Sequence, residues 1–399
     1  MITKSNYPIF LGAVLNQTIV LITTYFVLSL SNPSNYGRFS YFIAIVSIIA
    51  SISTLKLEQS IVISQNDTEV SVKVWLILIL NTIVTCVSLL LISCFIEFST
   101  LELLLFLPLS FGIVMIANFQ QIFLFKNQHK YNALISITVS FINFIIVYFC
   151  ISYEWGLVLG YSFSYFLVSF LVFFLFIKKK ILRFASWKEI KNIFVLNINY
   201  VKFIFPSSIV TILLAYFHPI LLEFVYDQEV VGEFSLSLRI LMLPSIVFGG
   251  ILGGLLRTKL AVYKFSNSYT EFRSEIVKAV RYLFLSIFIL FPIIIFLISI
   301  AVNYLDFLEW RKIPVLSFFL VGYAISQYLY IPLINIPLVL DKGKVLFKSN
   351  LYVLSNNLLV YVVVYVFKLE FTSFLIILSI SNLLLVFYQL YVFTKLKIK

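Results

Sequence analysis

Apolar residues recur in twelve runs, at 8–30, 39–62, 72–96, 101–124, 132–153, 155–177, 200–224, 231–256, 279–302, 313–340, 346–367 and 371–394. Each is close to the roughly 20 residues that a helix needs to cross a bilayer with all its backbone groups satisfied internally. Turn signals separate them, among them SNPSNYG at 31–37, NDTEVS at 66–71, KNQHK at 126–130 and DKGK at 341–344. Twelve such helices in 399 residues leave only short connections and no room for a folded domain outside the membrane. The composition agrees, with 62% hydrophobic and 12% charged residues, against about 25% charged in a soluble domain. A soluble globular enzyme is excluded. The opening MITKSNYPIF lacks a small-residue cleavage site, so a retained first helix is expected rather than a signal peptide.

The formal charge is +12, which in a soluble chain would point to nucleic acid; here the placement of the charges matters more, and no nucleic-acid partner is expected. If the N-terminus is cytoplasmic, 24 of the 29 Lys and Arg fall on the cytoplasmic side, four (Arg38, Arg311, Lys312, Lys368) fall outside, and Arg239 lies within a helix. Positive loops stay inside, so an N-in, C-in topology with twelve helices is expected. Cys86, Cys94 and Cys150 sit within apolar runs and show no metal spacing.

Two cytoplasmic connections are longer, 178–194 and 257–278. The first could form an amphipathic helix on the membrane surface, with Ile181, Phe184, Trp187, Ile190 and Phe194 inward. It also divides the chain into two echoing halves. Helix two opens with Gly37-Arg38-Phe39-Ser40 and helix eight with Gly232-Glu233-Phe234-Ser235, and Asn6-Tyr7 and Asn199-Tyr200 precede them at comparable distances. A duplication of six helices gives parallel repeats about an axis along the membrane normal. The expected architecture is an all-α integral membrane protein of two pseudo-symmetric six-helix bundles: residues 1–177, an inter-lobe linker at 178–198, and residues 199–399.

The entry Asn35-Tyr36-Gly37-Arg38-Phe39-Ser40 and the run from Val231 to Pro244 resemble those of Wzx-type polysaccharide repeat-unit flippases of the MATE-like MOP superfamily, and Leu55-Lys56-Leu57-Glu58 is similar to a basic-x-Glu segment of many members. The resemblance implies two lobes forming a V around a hydrophilic cavity. It implies passage of an undecaprenyl-pyrophosphate-linked oligosaccharide, an O-antigen or capsule unit, from the inner to the outer leaflet of a bacterial cytoplasmic membrane. A polysaccharide polymerase and a chain-length regulator are the partners that such a role brings with it, beside membrane lipids.

A charge within hydrocarbon costs at least ~2.5–3.5 kcal/mol on insertion scales and faces a cavity or a partner. Arg239, eight residues into its apolar run and so about 12 Å deep, is the leading candidate for holding pyrophosphate or an acidic sugar; the competing reading pairs it with Glu223 or Glu233. His218, before Pro219, is a candidate for proton coupling or a plain interhelical hydrogen bond. Lys202 and Lys56 with Glu58 mark mouths at the basic end and Arg38 one at the opposite end, with snorkelling to head groups as the simpler reading. Two residues apart on a helix, Lys56 and Glu58 should face different ways. Asn16, Gln17 and Gln327, with Asn118, Gln120, Gln121 and Asn335, offer amides either to a sugar or to neighbouring helices. Gly249-Gly250 and Gly253-Gly254 read as close packing of helix eight, and Pro314, Pro332 and Pro337 as bends in helix ten.

No nucleotide loop, dinucleotide turn or zinc spacing is present, so no catalytic residue, metal or cofactor is expected. The rival readings are a MATE-like small-molecule or cation antiporter, which would want an acidic cavity, and a membrane polysaccharide polymerase, which would want a long outer loop.

Overall fold

The computed structural model describes residues 7–396 except 97, 127, 179–181, 267, 305–306 and 341. Lys4, Asn6, Lys179, Lys180, Ile181, Asp341, Lys397 and Lys399, which the sequence analysis used, lie outside the described residues, as do the side chains of Asn199 and Tyr200. The described chain is helical throughout: α1 (Tyr7–Leu30), α2 (Pro33–Ser53), α3 (Asp67–Phe95), α4 (Thr100–Phe125), α5 (His129–Cys150), α6 (Gly156–Lys178), α7 (Trp187–Val225), α8 (Gln228–Leu241), α9 (Gly250–Phe265), α10 (Tyr269–Tyr304), α11 (Ile313–Leu333), α12 (Asn335–Val339), α13 (Gly343–Phe367) and α14 (Phe371–Thr394). Among the described residues, twelve stretches are long and apolar enough to cross a membrane.

The helix edges follow local chemistry. Asn66 caps α3 by accepting from Glu69 N, and Ser99 with Glu102 forms a reciprocal capping box at α4. Pro314 sits at the first helical positions of α11, where a missing N–H costs nothing, so it starts that helix rather than bending it. Pro332 does interrupt the tenth span, which divides into α11 and α12 at Ile334. The two long connections are largely helix: α7 begins at Trp187 and runs for 39 residues, and α9 and α10 absorb most of 257–278. The expected surface helix is therefore the first part of a helix that continues into a spanning segment. Of its supposed inward set, Ile190 is buried and Phe194 packs against the core, whereas Phe184 and Trp187 are 75% and 70% exposed. Phe184 instead stacks on Trp75, whose indole donates to Arg183 O at 2.9 Å.

Packing divides the chain into two compact units, Arg38–Ile220 with the residues up to Ser31, and Asn32–Gly37 with Leu221–Lys399. In the first unit the most extensive helix pairs are α4 with α6, α1 with α5 and α5 with α6; in the second, α11 with α14. Glycines allow the closest approaches. A Cβ on Gly112 of α4 would lie 2.7 Å from the Tyr165 backbone of α6, and one on Gly322 of α11 would lie 2.9 Å from Ser379 Cβ of α14. Ser379 then donates to Phe319 O at 2.6 Å. Gly253 is a close-packing glycine, with a virtual Cβ 2.9 Å from Asn335 Nδ2, but Gly254 faces open space, so the reading of paired small residues holds for only one of the two.

Polar ties tune both bundles. In the first unit, Asn81 Oδ1 lies 2.7 Å from Ser53 Oγ, 3.0 Å from Ser110 Oγ and 3.2 Å from Thr85 Oγ1, linking α2, α3 and α4 in the core. In the second, Asn382 donates to Asn357 Oδ1 at 2.7 Å and Gln389 to Ser349 O at 3.2 Å, joining α14 to α13. Apolar lipid gives helices little reason to associate, so such bonds and the small-residue contacts carry much of the specificity.

Candidate functional site

The opening of α2 packs against that of α8 through their sequence-equivalent glycines, all within the second unit. A Cβ on Gly37 would stand 1.9 Å from Gln228 O, and one on Gly232 would stand 1.8 Å from Pro33 O. The contact is reciprocal: each glycine meets the carbonyl four residues before the other. Asp227 caps α8, accepting from Val230 N at 2.9 Å.

Arg239 lies seven residues beyond this crossing, about 10 Å along α8. Helical side chains lean toward the N-terminus, which carries the guanidinium back to the opening of α2, where Nη1 donates to Tyr36 Oη at 3.1 Å. The Tyr36 ring meets buried Trp310 edge-on, with centroids 6.1 Å apart. Directly after Arg239 the helix fails. Pro244 has no N–H to give, α8 ends at Leu241, and a π-helical turn, Ser245–Gly249, leads into α9. The eighth apolar run is thus two helices joined by a break, and its qualifying span starts at Ser245. The guanidinium sits on the last turn before that break.

Of the carboxylates offered by the sequence as its partners, each keeps a buried oxygen without a hydrogen bond among the described residues, Glu233 Oε1 and Glu223 Oε2. Buried Glu233 faces Lys312 Nζ at 3.4 Å, and the same ammonium bonds Glu229 at 2.9 Å. Glu223 accepts from the Gln228 side chain.

The other candidates fall in different places. Arg38 is locked in a fork, with Nε and Nη2 each 2.8 Å from the two oxygens of buried Glu102, while Nη1 bonds Glu154. Glu102 Oε2 also accepts from Ser99 N and Oγ at 2.8 Å. Lys56 and Glu58 do pair, at 3.4 Å, against the expectation. The reason is backbone: α2 ends at Ser53, Leu55 and Lys56 adopt left-handed φ of 50° and 58°, and a 3₁₀ helix, Leu57–Ile63, replaces the expected α turns. Asn16 accepts from Ser140 Oγ of α5 at 2.6 Å. His218 is buried on α7, its ring 4.1 Å from that of Phe217. Gln17 and Gln327 are half-buried, and Lys202 is exposed.

Sequence reasoning missed Lys73, counted only as a loop charge. It is 2% exposed, and its ammonium meets Ser60 O at 2.8 Å, Ser64 Oγ at 2.9 Å and Glu69 at 2.8 Å, clamping the 3₁₀ segment onto α3. The Glu69–Lys73 spacing of four was the available signal. The roles of Tyr36 and Lys312 carried no signal, since nothing local ties residue 36 to 239 or 233 to 312.

No protein-family model matches the sequence, and no curated protein does. Solved structures do match in fold. An inward-facing multidrug resistance transporter of the MATE family, MOP superfamily, aligns with TM-score 0.73 and 14% identity over 96% of this chain and 97% of that one. The chain has the MATE fold. An outward-facing multidrug resistance MATE transporter aligns at 0.61 and 13% identity, over 98% and 95% of the two chains. A MOP-superfamily transporter from Pyrococcus furiosus, described as having a binding pocket of reverse polarity that suggests a different function, aligns at 0.61 and 15%, over 97% and 93%.

Proposed function

We propose that this chain is a flippase, moving a lipid-linked oligosaccharide with an anionic pyrophosphate head from the inner to the outer leaflet of a bacterial cytoplasmic membrane by alternating access. The two units act as the lobes of a transporter, with both termini cytoplasmic, as the placement of the lysines favours. The hard step is carrying a hydrophilic anion through hydrocarbon, while the polyprenyl tail can remain in lipid. The observation that carries the reading is Arg239. Its guanidinium sits on the last turn of α8, one of its hydrogen bonds goes to the Tyr36 hydroxyl, and its planar fork matches phosphate oxygens. Lying next to the break between α8 and α9, it can change neighbours if that break flexes. Arg38, forked onto two carboxylates, is assigned to structure instead.

The test is complementation of a flippase-null strain. Arg239→Ala and Arg239→Glu should abolish surface polysaccharide while the protein still accumulates in the membrane; full complementation by Arg239→Glu would overturn the assignment. A second reading, a MATE-like antiporter of small molecules or cations, is favoured by the structural neighbours and by buried Glu233. Vesicles reconstituted with the chain separate the two: movement of fluorescent lipid-linked sugar without cation-driven drug efflux supports the flippase, and the reverse pattern supports the antiporter.

A further inference from the structure

At the basic end of the second unit, the start of α10 and the end of α14 enclose a cleft of about 500 Å³ lined by Tyr269, Phe272, Arg273, Ile276, Thr394, Lys395 and Leu396. Its floor is apolar, with Phe272 and Ile276 both 3% exposed. Its rim is cationic. Arg273 and Lys395 are exposed, and among the described residues no carboxylate pairs with either. The acidic neighbours on α10 are engaged, Glu271 by Thr270 and Glu275 by Lys259. Lys395 leans on the face of Tyr391, 4.1 Å from the ring centroid, which holds it at the end of α14.

Depth identifies what such a cleft meets. α14 has 24 residues, about 36 Å, slightly more than the roughly 30 Å of hydrocarbon, so its last turn, with Thr394 and Lys395, lies at head-group level. α10 has 36 residues, about 54 Å, so its first turns stand clear of the hydrocarbon and bring Arg273 to the same layer. Two cations over an apolar floor in that layer complement a lipid phosphate with the start of its acyl chains beneath it.

We propose that this cleft is a binding site for one anionic phospholipid, its phosphate held between Arg273 and Lys395 and its glycerol and upper chains on Phe272 and Ile276. The site belongs to the second unit alone and is separate from Arg239. Whether or not the chain is a flippase, the lipid binds.

Native mass spectrometry of the detergent-solubilised full chain with phosphatidylglycerol tests this. The wild type should retain one phosphatidylglycerol in preference to phosphatidylcholine. Arg273→Gln/Lys395→Gln should lower the affinity of that lipid roughly tenfold. Arg273→Lys, which keeps the charge, should lower it less. Lys278→Gln/Lys344→Gln, which removes two exposed charges outside the cleft, should leave it unchanged. All the substituted side chains are exposed, so the variants should fold, and their melting temperatures confirm it. Equal losses in the two double variants, no loss in the first, or displacement of the lipid by millimolar inorganic phosphate would each overturn the proposal.

Discussion

The openings of α2 and α8 are the same device built with opposite charges. Each has a glycine followed by an ionised residue and then Phe-Ser: Gly37-Arg38 in one, Gly232-Glu233 in the other. Each ionised residue is neutralised by a charge at the start of a later helix of its own unit, Arg38 by Glu102 at the start of α4, and Glu233 by Lys312 just before α11. The ties differ in quality. Arg38 and Glu102 share two parallel bonds of 2.8 Å, and Glu102 is buried and held again by Ser99. Lys312 is 64% exposed, reaches Glu233 at only 3.4 Å and divides its attention with Glu229. A planar fork on a buried carboxylate makes a rigid joint; an ammonium on a flexible stem makes a loose one. The rigid joint anchors the opening of α2, and the loose one is on α8, the helix that carries Arg239.

If this contrast is right, breaking the fork should do the most damage. Arg38→Met leaves Glu102 buried without its cation, and loss of about 3–5 kcal/mol is expected for such an orphaned charge. It should appear as a collapse of monodisperse protein in detergent. Arg38→Met/Glu102→Met should recover most of that stability, because removing both charges removes the desolvation penalty as well. If the double variant is no better than the single, the fork is not what Glu102 depends on.

The glycine crossing should come next, and it should be symmetrical. Gly37→Ala and Gly232→Ala each put a Cβ within 2 Å of a backbone carbonyl that cannot swing away, and each should cost about 1–3 kcal/mol by overpacking. Thermal unfolding of the two variants should give similar shifts. A large shift for one and none for the other would show that the crossing is not reciprocal.

Lys312→Met should cost less than either, about 1–2 kcal/mol, since it withdraws one exposed, distant ammonium from Glu233. Lys312→Met/Glu233→Met should return to the wild-type melting temperature. A loss as large as that of Arg38→Met would erase the distinction between the joints.

Much of this was legible in the sequence, for physical reasons that also set its limits. The helices were legible because a bilayer demands long apolar segments. The end of α2 was not. Leu55 and Lys56 take up left-handed backbone without being Gly or Asn, so no residue type announced the turn that brings Lys56 to Glu58. Arg38 was read as a mouth residue because its partners are 64 and 116 positions away, beyond any helical spacing. Lys73 looked like a loop charge because its acceptors are a carbonyl and a hydroxyl, groups that every segment possesses. Arg239 stood out because a charge in an apolar run is costly, but the phenol that accepts from it lies 203 residues away.

The smallest expected structural effect belongs to Tyr36→Phe, and it probes the loose side of the comparison most directly. The change removes one hydroxyl that accepts from Arg239 at 3.1 Å and keeps the ring that packs on Trp310. A single hydrogen bond to a charged, half-buried group contributes about 1.5 kcal/mol or more only when its loss leaves the charge stranded. Here the guanidinium keeps other interactions and can reorient, so the melting temperature should change little. Function should not be so tolerant. If Tyr36 aims the guanidinium at its anionic cargo, Tyr36→Phe should slow transport of lipid-linked sugar in vesicles while leaving protein level and stability near wild type, and combining it with Arg239→Lys, which keeps the charge but not the fork, should slow it no further than Arg239→Lys alone. Additive losses in that double variant would mean that the phenol acts on the cargo by a separate route, and an unimpaired single variant would mean that the hydroxyl merely fills a vacancy beside a charge held in place by its remaining contacts.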